Sequence, residues 1–172
     1  MNAIIENLLT RRSTRAFLQK EIPDNELNEI LQAAIYAPSG MGKQTWKFTV
    51  LCNQEKIQQL AELIGRKLGR KGYDMYRPQV LIIPSNQKEN PHGMEHNACA
   101  LENIFLAAHS FGIGSVWINQ LRTLCDDPEV RALLDEFEIP SDHVVYGMAA
   151  LGYPADAPKK EIHKIGEIRI IK

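Results

Sequence analysis

From Pro91 to Phe111 the sequence has helical spacing yet is apolar on almost every side, through Ala98, Leu101, Ile104, Phe105, Leu106 and Ala108, and it stops at Gly112. A helix of that kind has to be enclosed, in a core or between subunits. Val80-Leu81-Ile82-Ile83 makes the same demand in extended form, because an unbroken apolar run belongs to a strand covered on both faces. The pattern predicts a central strand ending at Pro84, with polar loop beyond it.

The remaining segments supply partners for these two. Ile4, Ile5, Leu8 and Leu9 give the Asn2–Leu9 stretch a helical face that runs into Arg11, Arg12 and Arg15. Asp24 is positioned to cap a second helix carrying Leu27, Ile30, Leu31, Ala34 and Ile35, which Pro38 stops. Trp46, Phe48, Val50 and Cys52 alternate as in a strand, and Asn53 caps a helix with Ile57, Leu60, Ala61, Ile64 and Leu68. Residues 65–77, rich in glycine and basic side chains, read as an exposed loop or frayed helix end. Ser115–Ile118 and His143–Leu151 read as strands, with a helix opening at Asp127-Pro128 between them. Beyond Tyr153 the chain turns Pro- and Lys-rich and ends on the alternating 167–171 segment, a strand with no obvious partner nearby.

A chain of 172 residues is the size of one domain. Its 20 basic and 21 acidic residues leave a net charge of -1, which argues against nucleic acid or a membrane surface as partner. No apolar run approaches the roughly 20 residues that span a bilayer, and the N-terminus lacks a signal-peptide pattern. These features predict a cytoplasmic protein, in which Cys52, Cys99 and Cys125 are reduced thiols serving as small core residues.

The densest chemistry lies in Arg11-Arg12-Ser13-Thr14-Arg15-Ala16-Phe17, where guanidinium groups and hydroxyls match a phosphate ester. Alone, the same cluster also fits a solvated basic turn with Ser13 as its cap. A second segment, Ala37-Pro38-Ser39-Gly40-Met41-Gly42-Lys43-Gln44-Thr45-Trp46, combines small residues with an amide and hydroxyls, so backbone can approach a planar ligand. It is no P-loop, because Gln44 stands where Ser or Thr is required. His92-Gly93-Met94-Glu95-His96 fits the spacing of an inverted zinc-peptidase motif, with a helix start as the competing reading; His109 and His143 read as structural.

Taken together, the first two segments resemble the nitroreductase family of flavoproteins in both order and spacing. The resemblance extends through Leu106–Ile118, which looks like that family's central helix and the strand behind the flavin, and through Leu151-Gly152-Tyr153-Pro154-Ala155. It implies an α+β fold with a mostly antiparallel central sheet flanked by helices, forming an intertwined homodimer. One domain over residues 1–172 would send its tail, from about residue 153 to 172, over the partner subunit.

The resemblance also implies a cofactor, FMN, with NADH or NADPH as electron donor and a small-molecule oxidant, a nitro compound or quinone, served by a ping-pong mechanism. Arg11, Ser13 and Arg15, with Arg12 beside them, would hold the FMN phosphate, completed by Lys160 or Lys164. Pro38, Ser39 and Gly40 would reach the flavin from the other subunit, with Gln44 nearby. Asn119 and Gln120 would turn backbone N–H groups toward N5 and O4, and Arg70 or Lys71 would place positive charge near N1 and O2. No side chain is needed as acid or base, and no metal is expected. The chain departs from the family pattern at Gly42, Thr45 and Gln120, where Asn, Pro and Gly are common, which bears on the substrate pocket more than on the cofactor. A flavin-binding module without turnover and a zinc hydrolase built on His92, Glu95 and His96 are the alternatives.

Overall fold

The computed structural model describes residues 2–156 and 164–172. In chain order it contains α1 (Ala3–Thr10), α2 (Asp24–Ile35), β1 (Trp46–Leu51), α3 (Gln54–Lys67), β2 (Val80–Gln87), α4 (Gly93–Ser110), β3 (Gly114–Ile118), α5 (Pro128–Glu136), β4 (His143–Val144) and β5 (Met148–Gly152). The sheet runs β1-β2-β5-β3, with β4 beside the far end of β2, and the named strands pair antiparallel. This is the expected α+β architecture.

Side chains of β2 alternate between two cores. Leu81 and Ile83 pack with Ile57, Leu60 and Ile64 of α3 and Leu133 and Leu134 of α5. Val80 and Ile82 pack on the other face with Ile30 of α2 and Leu101 and Ile104 of α4. That double covering is why the sequence of β2 shows no polar alternation. β5 divides likewise, Met148 and Ala150 facing one core, Ala149 and Leu151 the other. Among the described residues no helix is long and apolar enough to cross a membrane.

Several expectations need correction. β2 does not stop at Pro84 but continues to Gln87 with Pro84, Ser85 and Asn86 buried. Pro84 falls between the pairing with β5, which ends at Ile82, and that with β4, which begins at Asn86, so no ladder bond is lost on that flank. Ser85 and Asn86 are satisfied by His143 (2.9 Å) and Thr45 (2.7 Å), and such mutual pairing leaves no trace in an apolar pattern. The single strand expected over His143–Leu151 is two, β4 and β5, separated by residues 145–147, where a Cβ on Gly147 would stand 2.4 Å from the Trp117 indole nitrogen. Asp24 is the first residue of α2, not its cap, which is Pro23. Residues 65–77 are not an exposed loop throughout: α3 runs to Lys67 and Met75 is fully buried. Of the cysteines only Cys125 is buried; Cys99 is intermediate and Cys52 exposed. The tail's 167–171 segment forms no strand here, and Ile168, Ile170 and Ile171 are exposed.

α1 is unusual in burying no side chain. Asn7 Nδ2 donates to Leu106 O (2.9 Å) and Thr10 Oγ1 meets His109 Nε2 (2.9 Å), tying the helix to α4, while Ile4 and Leu9 stay 72% and 61% exposed.

Candidate functional site

After α1 the basic segment runs extended over the β3–β5 end of the sheet. Thr14 N donates to Ser115 O (2.8 Å), Leu18 N to Tyr153 O (2.8 Å) and Ala155 N to Ala16 O (2.9 Å). Two glycines allow this approach, Gly114 and Gly152, which face each other across β3 and β5. A Cβ on Gly114 would stand 2.5 Å from Thr14 Oγ1, and one on Gly152 would stand 2.9 Å from Phe17 Cδ1. The segment thus rests directly on bare sheet backbone.

Arg11, Arg12, Ser13 and Arg15 line one cavity of about 420 Å³, together with Thr10, His109, Gly112, Ser115 and Asp156. The structure therefore brings the four predicted phosphate-binding residues to one place. Arg11 is partly buried with its guanidinium 5.9 Å from the centre of the Phe105 ring, and among the described residues neither Arg11 nor Arg15 is ion-paired. A guanidinium partly withdrawn from water and lacking a carboxylate is stabilised by an incoming anion. His109, read as structural, ties α4 to α1 through Thr10 (2.9 Å) and also borders this cavity. Burial, reinforced by the Arg11 charge, pushes its ring down from the ordinary histidine value, favouring the neutral form. Its wall position comes from the last turn of α4, a placement that apolar periodicity does not single out.

Asn119, four residues beyond Ser115, lies about 13 Å away along β3 at ~3.3 Å per residue. There Asn119 and Gln120 border a second cavity of about 530 Å³ with Leu68, Arg70, Arg122 and Thr123; Lys71 is not among its walls. Asn119 N donates to the Gln120 side-chain Oε1 (3.0 Å), which also accepts from the Tyr73 hydroxyl (3.0 Å). Burial, the main cause, pushes the Tyr73 hydroxyl up to about 12, so it remains a donor. The expected free N–H of Asn119 is thereby capped by its neighbour.

The 38–44 segment lies apart: Pro38, Ser39, Gly40 and Gln44 line neither cavity. It is a 3₁₀ turn at Gly40–Gly42 fastened to α4, where Gly40 N donates to His96 Nε2 (2.7 Å). Gln44, with φ 47°, is exposed. Nε2 of His96 is thus occupied by a backbone N–H, and its Nδ1 lies 3.2 Å from the Asn90 side-chain amide. No group of three or more His, Cys, Asp or Glu side chains is placed to hold a metal among the described residues, and the zinc reading gains no support. Lys160 lies outside the described residues, and Lys164 is exposed.

A family model described as Nitroreductase family matches residues 8–79 and 67–153. The fold superposes with a TM-score of 0.94 on a nitroreductase with bound FMN from Bacteroides fragilis, at 43% identity over 100% of both chains. It superposes with a TM-score of 0.78 on an FMN-dependent nitroreductase from Clostridium difficile, at 32% identity over 92% of this chain and 91% of that one. A Vibrio harveyi NADPH-flavin oxidoreductase is 28% identical over 170 residues, covering 92% of this chain and 69% of the relative.

Proposed function

The chain belongs to the nitroreductase family, and on that basis we propose that it is an FMN-dependent oxidoreductase that takes electrons from NADH or NADPH and delivers them by a ping-pong mechanism to a nitro compound, quinone or related small acceptor. The observation that carries the reading is the gathering of Arg11, Arg12, Ser13 and Arg15 around one cavity at the start of β3, with the Asn119 amide at its end. This donor set suits a ligand with a phosphate at one end and a polar ring at the other.

Bound FMN would supply the redox chemistry, holding two electrons between the donor and acceptor half-reactions. Arg11, Ser13 and Arg15, with Arg12 alongside, would bind its phosphate, and Lys160 or Lys164 would complete that shell. The backbone N–H groups of Asn119 and Gln120 would orient the ring edge, which requires the Gln120 side chain to release the Asn119 N–H it now caps. Pro38, Ser39 and Gly40, with Gln44, would come from the partner subunit, which accords with their distance from both cavities of their own chain. A purified sample is expected to be yellow or to take up added FMN, and NADH or NADPH is expected to bleach it without oxygen. A colourless protein indifferent to FMN would overturn the proposal, while binding without bleaching would favour a flavin module that does not turn over.

The working unit on this reading is a homodimer of single domains spanning residues 1–172, each with its tail lying over the other subunit. The sequence puts the tail's departure at about residue 153, but Ala155 N still donates to Ala16 O of its own chain (2.9 Å), so the crossing would begin beyond that point. Support comes from α1, which buries nothing in the single chain, and from the exposed Ile168, Ile170 and Ile171. The interface is expected to bury more than about 2,000 Å², the regime of permanent assemblies. Sedimentation as a stable monomer at micromolar concentration would contradict it. The reading places the enzyme in the cytoplasm, where NAD(P)H is available and exposed Cys52 stays reduced.

A further inference from the structure

We infer that the cavity beyond β3 is an anion site in which Arg122, with Arg70 also in its wall, binds a negatively charged group of the redox partner, so that the enzyme favours anionic substrates. This rests on the proposed function, because it assigns the charge class of what reaches the ring edge at Asn119. The two guanidinium groups border the same cavity as Asn119 and Gln120, and no carboxylate is among its walls. Neither makes an ion pair or a side-chain hydrogen bond among the described residues.

Both are nevertheless held in place. The Arg70 guanidinium lies 5.8 Å from the Tyr73 ring centre, and that of Arg122 lies 5.8 Å from the Tyr146 ring centre. Stacking on an aromatic face orients a guanidinium while leaving its N–H donors unused, whereas a carboxylate partner would consume them. Tyr73 is itself fixed by its bond to Gln120 (3.0 Å), so Arg70 and the capped Asn119 amide belong to one connected unit. Arg70 also borders a neighbouring cleft containing Glu62 and Asp74, neither of which pairs with it; Asp74 is taken by Arg77 (3.5 Å). The anionic group can come from either reactant of a ping-pong cycle: a carboxylate on the oxidant, or the adenosine 2′-phosphate that distinguishes NADPH from NADH.

Arg122→Gln removes the charge and keeps much of the side chain's bulk at an exposed position. In the FMN-loaded protein without turnover, 4-nitrobenzoate binding is measured from its perturbation of the flavin spectrum, with nitrobenzene as the neutral control. Adenosine 2′,5′-bisphosphate and 5′-AMP are titrated calorimetrically in parallel. The variant is expected to weaken one anionic probe roughly five- to twentyfold, the loss of one partly screened charge-assisted bond, with the paired control unchanged and with partial recovery in Arg122→Lys. Selective loss of 4-nitrobenzoate assigns the oxidant as the source, and selective loss of the bisphosphate assigns the nucleotide. Equal weakening of probes and controls, or no change in any, would overturn the inference. Retention of FMN, read in the same spectra, separates that result from failure of the functional proposal, in which wild-type protein would hold no flavin.

Discussion

Replacing Gly114 by alanine is expected to weaken FMN binding by about a hundredfold while leaving the chain folded. The new methyl carbon would stand 2.5 Å from Thr14 Oγ1 and 2.7 Å from Thr14 Cβ, so the basic segment must lift from the sheet. Ser13 and Arg15 flank Thr14 and would move with it, and losing one or two charge-assisted bonds at about 1.5–3 kcal/mol each accounts for an effect of that size. Overpacking of this kind also costs about 1–3 kcal/mol of stability, or a Tm lower by about 2–4 °C per kcal/mol for a domain this long. The diagnostic measurement is the double variant Gly114→Ala with Thr14→Gly. Removing the opposing side chain should restore most of the FMN affinity, and purely additive losses would show that the clash is not what positions the segment.

Arg15→Ala is expected to weaken FMN binding roughly ten- to a hundredfold, from the loss of a charge-assisted bond worth about 1.5–3 kcal/mol. Arg15 is exposed, borders the basic cavity and has no ion partner among the described residues, so the change removes little else. Riboflavin lacks the phosphate, and its affinity should hardly alter. Titration of both flavins against both proteins distinguishes a phosphate ligand from a residue that supports the fold. Equal weakening of the two, or of neither, would remove Arg15 from the site.

What the sequence disclosed depended on whether the cause was local. The unbroken apolar run of β2 reflects its own two-sided burial, and the density of the Arg11–Phe17 cluster marks it as a candidate anion site, although alone it fits a solvated basic turn equally well. The seat of that cluster was hidden, because Thr14 and Gly114 meet across 100 residues and nothing in either neighbourhood names the other. Buried polar pairs such as Ser85 with His143 were hidden for a similar reason: each partner looks like loop until the other satisfies it. The alternating tail misled in the opposite sense, since alternation requires a covered face and this chain offers it none. At Gln120 the departure from the family pattern was visible, but its consequence, a side-chain oxygen folded back onto the preceding N–H, depends on the Tyr73 hydroxyl, 47 residues away in sequence.

β3 carries one further implication, for how such a protein can change over generations. The strand separates the seat of the basic segment from the Asn119 amide by a fixed number of residues, and a paired strand neither stretches nor slips without leaving its register with β5. Side chains at either end can therefore be exchanged one at a time, each altering a local preference. Inserting or deleting a single residue between Ser115 and Asn119 would shift the far end by about 3.3 Å and turn it to the opposite face. Divergence among descendants of this chain should accordingly accumulate as substitutions around both cavities, while the length of the segment joining them stays constant.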